Sequence, residues 1–244
     1  MRIIAIANQK GGTAKTTTVA ALGVLLSRTG TRVHLVDMDP QASLTRAFGH
    51  QDDTDGLYIA LTDRAGLPVQ TVFDNLSLTP STIELARAET ELLAEPAREY
   101  FLRTCLEKTP LPGDAVVLLD TPPSLGILAV NCLATAGGMI AVIQPGGFEL
   151  HALVHLHVTA QTIQERINPD LHFLGAIVTN AHRRRSITAQ VRHEVGRLYP
   201  LLGTVRADAR LLYATSGGKI QRLVTSKALQ DYAEVVEHLR QVLP

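Results

Sequence analysis

Arg2-Ile3-Ile4-Ala5-Ile6-Ala7-Asn8-Gln9-Lys10-Gly11-Gly12-Thr13-Ala14-Lys15-Thr16-Thr17-Thr18 is the stretch that decides the fold. Arg2–Ala7 is a short apolar run, which reads as a parallel strand buried on both faces. The glycine-rich turn Lys10–Lys15 follows, and Thr16–Arg28 reads as a helix stopped by Gly30. Arg32–Val36 reads as the second strand and stops at Asp37. Strand, helix and strand within roughly 35 residues make a βαβ unit.

The alternation continues along the chain. Strands are expected at Ala115–Leu119, ending at Asp120, at Met139–Ile143 and at Phe173–Thr179. Helices are expected at Gly126–Thr135, Phe148–Arg166, Ile187–Leu198 and Val224–Leu243, the last with Tyr232, Val235, Val236 and Leu239 on one face. Glu84–Glu107 reads as helical with a break near Pro96. The pattern predicts an α/β fold, a mostly parallel twisted sheet with helices on both faces, in one domain over residues 1–244. Ligands of such sheets sit at the carboxyl ends of the strands. The sharp polar motifs fall there: Lys10–Thr17, Asp37–Gln41 and Asp120–Pro123.

The composition, 45% hydrophobic and 19% charged over 244 residues, supports a sizeable core and excludes wholesale disorder. No apolar run reaches about 18 residues and no secretory leader is recognisable, so neither a spanning helix nor export is expected. Cys105 and Cys132 lie too far apart for a disulfide framework or zinc ribbon, which points to a reducing cytosol. They read as core residues. His151 and His155 share a helix face but His157 does not, so the three do not make a metal set.

A phosphate group needs backbone N–H donors, a helix N-terminus and a cation. Gly11 and Gly12 let the turn wrap tightly, Lys15 can reach β/γ oxygens, and Thr16 can offer its hydroxyl to Mg²⁺. The common pattern G-x-x-x-x-G-K-[ST] is not met, because Gln9 and Ala14 occupy its glycine positions. What is met is K-G-G-x-x-K-[ST], with Lys10 as a second lysine. Asp37, Asp39 and Asp120 end apolar strands beside this turn, where carboxylates can hold a metal's water shell or orient an attacking water. Asp39 also suits an N-cap of the short helix that follows. Asn180 ends a late strand, and its amide suits an adenine edge or an ordinary turn.

Net charge is zero, yet residues 182–227 carry ten Lys and Arg against two Asp and Glu, and residues 51–107 carry four Arg against eleven Asp and Glu. Arg183, Arg184, Arg185, Arg192, Arg197, Lys219, Arg222 and Lys227 form a basic region suited to sequence-independent, salt-sensitive binding of double-stranded DNA. No aromatic residue is interleaved next to these charges, so stacking on single strands is not expected. The chain begins on its first strand, with no helix-turn-helix ahead of it, so sequence-specific readout is not expected either.

Asn8–Thr18 resembles the deviant Walker A motif of ParA/MinD-type ATPases, closest to the ParA (Soj-like) DNA-partition branch. The resemblance implies a P-loop NTPase fold with ATP and Mg²⁺, contacted by Lys10, Gly11, Gly12, Thr13, Ala14, Lys15, Thr16 and Thr17. The motif's first lysine reaches across a nucleotide-sandwich dimer, a role that falls on Lys10. The family often has glycine at the position of Ala14; if φ is positive there, the methyl costs about 1 kcal/mol. Asp37-Met38-Asp39-Pro40-Gln41 looks like the family's D-x-D-P-Q switch, whose second Asp positions the nucleophilic water, here Asp39, with Asp37 supporting the Mg²⁺ shell. Asp120-Thr121-Pro122-Pro123 looks like its Walker B. Asp208 and Arg210 match a family segment that contacts the base, although both of its prolines are missing here. The resemblance further implies an ATP-state homodimer, nonspecific DNA, a ParB-like activating partner and a cytoplasmic, nucleoid-associated location. A MinD-like membrane switch is the alternative, but the last helix carries Asp231, Glu234 and Glu237 against Arg240, the wrong charge for anionic lipid. A DNA-binding scaffold with a decayed nucleotide pocket is a third reading, supported only by Ala14.

Overall fold

The computed structural model describes residues 1–50, 54–146, 149–181 and 186–242. Its strands are β1 (Arg2–Ala7), β2 (Val33–Asp37), β3 (Gln70–Phe73), β4 (Leu76–Thr79), β5 (Val116–Asp120), β6 (Gly138–Ile143), β7 (His172–Ala181) and β8 (Leu201–Arg206). Its helices are α1 (Lys15–Arg28), α2 (Ser43–Ala47), α3 (Gly56–Asp63), α4 (Leu85–Glu91), α5 (Phe101–Lys108), α6 (Ile127–Thr135), α7 (Glu149–Arg166), α8 (Ser186–Leu198), α9 (Ala209–Ser216) and α10 (Lys227–Val242). The strands form one sheet in the order β3-β4-β2-β5-β1-β6-β7-β8. Every pairing is parallel except β3 with β4.

The period of two along each strand divides the core between the two sheet faces. Ala5, Ala7, Val117 and Leu119 pack into one layer, while Ile4, Ile6, Val116 and Leu118 pack into the other. Each fully buried aliphatic side chain contributes roughly 1.5–3 kcal/mol, and burial on both faces is why these runs are continuously apolar. Cys105 and Cys132 are buried in the first layer.

The edge hairpin, β8 and the start of α10 depart from the expected pattern. β3 and β4 form an antiparallel edge hairpin turned at Asn75, where φ is +62°; β3 is only partly buried and lacks an apolar signature. β8 carries no continuous apolar run, because Gly203 and Thr204 interrupt it. A Cβ on Gly203 would lie 2.5 Å from Val235 Cγ2, so the glycine lets α10 close onto the sheet. The acidic stretch follows the expectation, helical in two pieces, α4 and α5, with the chain turning beside Pro96 at Ala97, where φ is +54°. α10 begins at Lys227 rather than Val224 because Ser226 caps it: Leu229 N–H donates to Ser226 Oγ at 3.0 Å.

Register aligns the working ends. Ile6 and Asp37 both stand opposite Asp120, and Met38 N–H donates to the Asp120 carbonyl at 3.0 Å. β1 leads through α1 to β2 on one side, while its neighbour β5 leads through α6 to β6 on the other, so the connections leaving these two adjacent strands part and open a crevice at their carboxyl ends.

Candidate functional site

The turn after β1 is built around two left-handed residues, Gly12 at φ +75° and Ala14 at φ +69°. Ala14 immediately precedes α1, and no side chain caps that helix end. First-turn N–H groups therefore face the crevice with the positive end of the helix dipole. A Cβ placed on Gly11 or Gly12 would meet nothing within 4 Å, so the turn's inner face is open. Asn8 fixes the turn from below: its amide donates to the Val142 carbonyl, and its Oδ1 accepts from Lys10 N–H at 3.0 Å. Thr179 Oγ1 donates to the Thr13 carbonyl at 2.9 Å, tying the turn to β7.

Lys15 is 7% exposed, and its Nζ donates to the Lys10 carbonyl at 3.5 Å. Burial lowers its pKa, while Asp120 and Asp39 act to raise it. Asp120 is fully buried, and neither carboxylate oxygen completes a hydrogen bond among the described residues. Burial first and the neighbouring Asp37 second push its pKa well above the ordinary carboxylate range, offset in part by the nearby Thr16 hydroxyl and Lys15. A buried, orphaned carboxylate is costly. Beside a threonine hydroxyl and an open phosphate cradle, it fits a hydrated divalent cation, so the residues present suit Mg²⁺.

Asp37 is placed differently. Its Oδ2 accepts from Thr45 N–H at 2.8 Å and from the Thr45 hydroxyl at 2.7 Å, while Oδ1 accepts from Asp39 N–H at 3.3 Å. Burial raises its pKa to about 6. Its carboxylate therefore braces the loop that presents Asp39. Ser81 completes this brace: its N–H donates to Thr45 Oγ1 at 2.9 Å and its hydroxyl to the Asp39 carbonyl at 2.9 Å. Neither Thr45 nor Ser81 was visible as a site residue, since no local pattern links positions 36 residues apart.

Gly11 to Thr17, Asp39, Asn180 and Asp208 line one cavity of about 710 Å³, within the roughly 300–1,000 Å³ span of small-molecule sites. Its wall away from the phosphate turn includes Val205, Leu211 and Tyr232. Asn180 holds a positive φ of 49° at the end of β7. Asp208 has structural work as well: its Oδ1 accepts from Arg210 N–H at 2.8 Å, capping α9, and its Oδ2 accepts from Ala228 N–H at 3.1 Å. Arg206 is held by Asp231, with Nε 2.7 Å from Oδ2. Lys10 is exposed at the mouth of the turn.

Of the basic region, Arg192 and Arg197 are exposed on α8, Lys227 opens α10, and Lys219 and Arg222 are exposed after α9. Arg183, Arg184 and Arg185 lie outside the described residues. One expectation needs correction: Tyr213 stands between Arg210 and Lys219 and is 81% exposed, so an aromatic ring does sit among these charges.

An AAA domain family matches residues 1–173. The chain is 36% identical over 226 residues, 89% of each protein, to the sporulation initiation inhibitor protein Soj of Bacillus subtilis. It is 35% identical over 248 residues to the chromosome-partitioning ATPase Soj of Thermus thermophilus, covering 98% of this chain and 95% of that one. Among solved structures it resembles a Mycobacterium smegmatis protein described as cobyrinic acid a,c-diamide synthase with bound ADP and magnesium, at 34% identity and a TM-score of 0.83, covering 99% of this chain and 94% of that one.

Proposed function

Because the chain belongs to the ParA/Soj/MinD family of deviant Walker A ATPases, we propose that it is a DNA-bound switch whose ATP state is a homodimer and whose hydrolysis releases DNA. The protein binds ATP with Mg²⁺, hydrolyses ATP, and serves partition or positioning.

Lys15 and the N–H groups opening α1 hold the β- and γ-phosphates. Thr16 and Asp120 hold Mg²⁺, which neutralises charge on the phosphate oxygens. Asp39 accepts a hydrogen bond from the attacking water, and the Asp37–Thr45–Ser81 brace fixes its position. Asn180 and Asp208 wall the base end. Lys10, exposed at the mouth, meets the phosphates of a second copy, so closure depends on triphosphate charge. Two basic faces joined in one dimer raise DNA avidity. A ParB-like partner with a basic segment stimulates turnover. Among the described residues no helix is long and apolar enough to cross a membrane.

The observation that carries the reading is the convergence of Lys15, Asp39 and the orphaned Asp120 carboxylate beneath an open glycine turn. The test is retardation of a random-sequence duplex with ATP, ADP and no nucleotide, at about 50 and about 200 mM salt. Binding is expected with ATP alone, weakening steeply with salt, and lost in Lys10→Ala. ATP-dependent pelleting with anionic vesicles, without DNA retardation, would reverse the reading toward a membrane switch.

A further inference from the structure

A second cavity, of about 590 Å³, lies along α9 and shares only Ala209 with the lining of the nucleotide crevice. Arg210, Tyr213, Lys219, Arg222 and Leu223 are among its lining residues. The backbone there is fixed. Asp208 caps α9, and Lys219 N–H donates to the Ala214 carbonyl at 2.9 Å, folding the chain back so that Lys219 and Arg222 face Arg210. Buried Ile220 pins the return. Arg210, Lys219 and Arg222 are all exposed, and among the described residues none of them forms an ion pair with a carboxylate.

Three unpaired cations held around one concavity repel each other and favour a polyanion. Cations alone would suit the outside of a duplex. This groove also carries an exposed tyrosine ring and the apolar side chains of Leu223 and Ala214, a surface that a backbone phosphate does not use. A base stacked on an aromatic ring, with its flanking phosphates on arginine or lysine, uses both parts.

We propose that the α9 groove binds an unpaired nucleotide of a nucleic-acid strand, the base stacking on Tyr213 and the adjoining phosphates contacting Arg210, Lys219 and Arg222. The inference rests on the DNA-binding reading and deepens it: the basic face distinguishes melted or single-stranded segments from intact duplex.

The test measures fluorescence anisotropy, with ATP and Mg²⁺, on a 30-nucleotide dT strand and on a duplex whose ends are closed by hairpins. Tyr213→Ala is expected to weaken dT binding by about fivefold or more while duplex binding stays within about twofold, and Tyr213→Phe, which keeps the ring, is expected to restore it. Lys219→Ala is expected to weaken both ligands. Equal dT affinities for wild type and Tyr213→Ala would overturn the groove proposal. Wild-type binding to duplex but not to dT would overturn it while leaving the switch reading intact. Binding to dT but not to duplex would instead overturn the duplex-binding switch and keep the groove.

Discussion

The hydroxyls of Thr18 and Tyr232 lie 2.7 Å apart, both buried, joining the helix that opens on the phosphate turn to the last helix of the chain. Tyr232 also lines the nucleotide cavity, and its neighbour Asp231 holds Arg206 at the far wall. One stretch of α10 therefore sets the position of both ends of the crevice. Tyr232→Phe keeps the packing and leaves the Thr18 hydroxyl without this partner. The expected cost is about 1 kcal/mol, read as a lower urea midpoint with an unchanged slope.

Ala14 holds a left-handed backbone that suits glycine. Ala14→Gly removes strain of roughly 1–2 kcal/mol, partly offset by the greater freedom of glycine in the unfolded chain. A net gain of about 1 kcal/mol corresponds to about 2–4 °C in Tm for a domain of this size. Thermal unfolding without nucleotide checks it, and a lowered Tm would contradict the assignment of strain.

His34 is 1% exposed on β2, with Nδ1 2.8 Å from Ser77 Oγ and Nε2 2.9 Å from Thr79 Oγ1. Thr79 donates its hydroxyl to the Pro68 carbonyl, so it accepts from Nε2–H; Nδ1 of the neutral ring is then an acceptor, and the Ser77 hydroxyl donates to it at 2.8 Å in preference to the Val33 carbonyl at 3.4 Å. Burial holds the His34 pKa down to about 4, against about 6.5 in an unfolded chain. Between those values the unfolded chain takes up a proton that the folded one refuses. The stability from neutral His34 is therefore complete above pH 6.5 and is lost as pH falls toward 4, by up to about 3 kcal/mol. Asp37, with its raised pKa, acts in the opposite sense over part of that range, so the comparison is between wild type and His34→Leu. Their difference in unfolding free energy is expected to shrink steadily from pH 7 to pH 4.5; a constant difference would contradict it.

Asp39 and Lys15 line the same cavity; in the proposed mechanism Asp39 orients the attacking water, whereas Lys15 and the loop N–H groups bind phosphate. Asp39→Ala is thus expected to lower phosphate release by about a hundredfold or more while ATP affinity stays within a few-fold. Thr45→Val, which removes the hydroxyl bonded to Asp37 and Ser81, is expected to lower kcat more than it raises KM. Single-turnover phosphate release and nucleotide titration separate the two effects.

Much of the sheet was readable because its central strands are buried on both faces and leave continuous apolar runs, each ended by a polar motif. The phosphate turn, Asp39 and Asp120 stand at the carboxyl ends of β1, β2 and β5, where an apolar run gives way to polar residues. The edge elements were not readable. β3 is half-exposed, and β8 gives up two apolar positions, one of them so that α10 can approach. The Thr45–Ser81 brace and the double use of Asp208 join residues distant in the chain by hydrogen bonds that leave no periodic trace. The exposure of Tyr213 depends on how α9 seats against its neighbours, which no sequence pattern carries.

The account turns on Lys10 completing the site of a second copy. Sedimentation equilibrium of the Asp39→Ala protein, with ATP or ADP and Mg²⁺, tests this most directly. The account predicts twice the chain mass with ATP, the single-chain mass with ADP, and the single-chain mass with both once Lys10→Ala is added. An Asp39→Ala, Lys10→Ala protein that pairs on ATP as readily as its parent would contradict it.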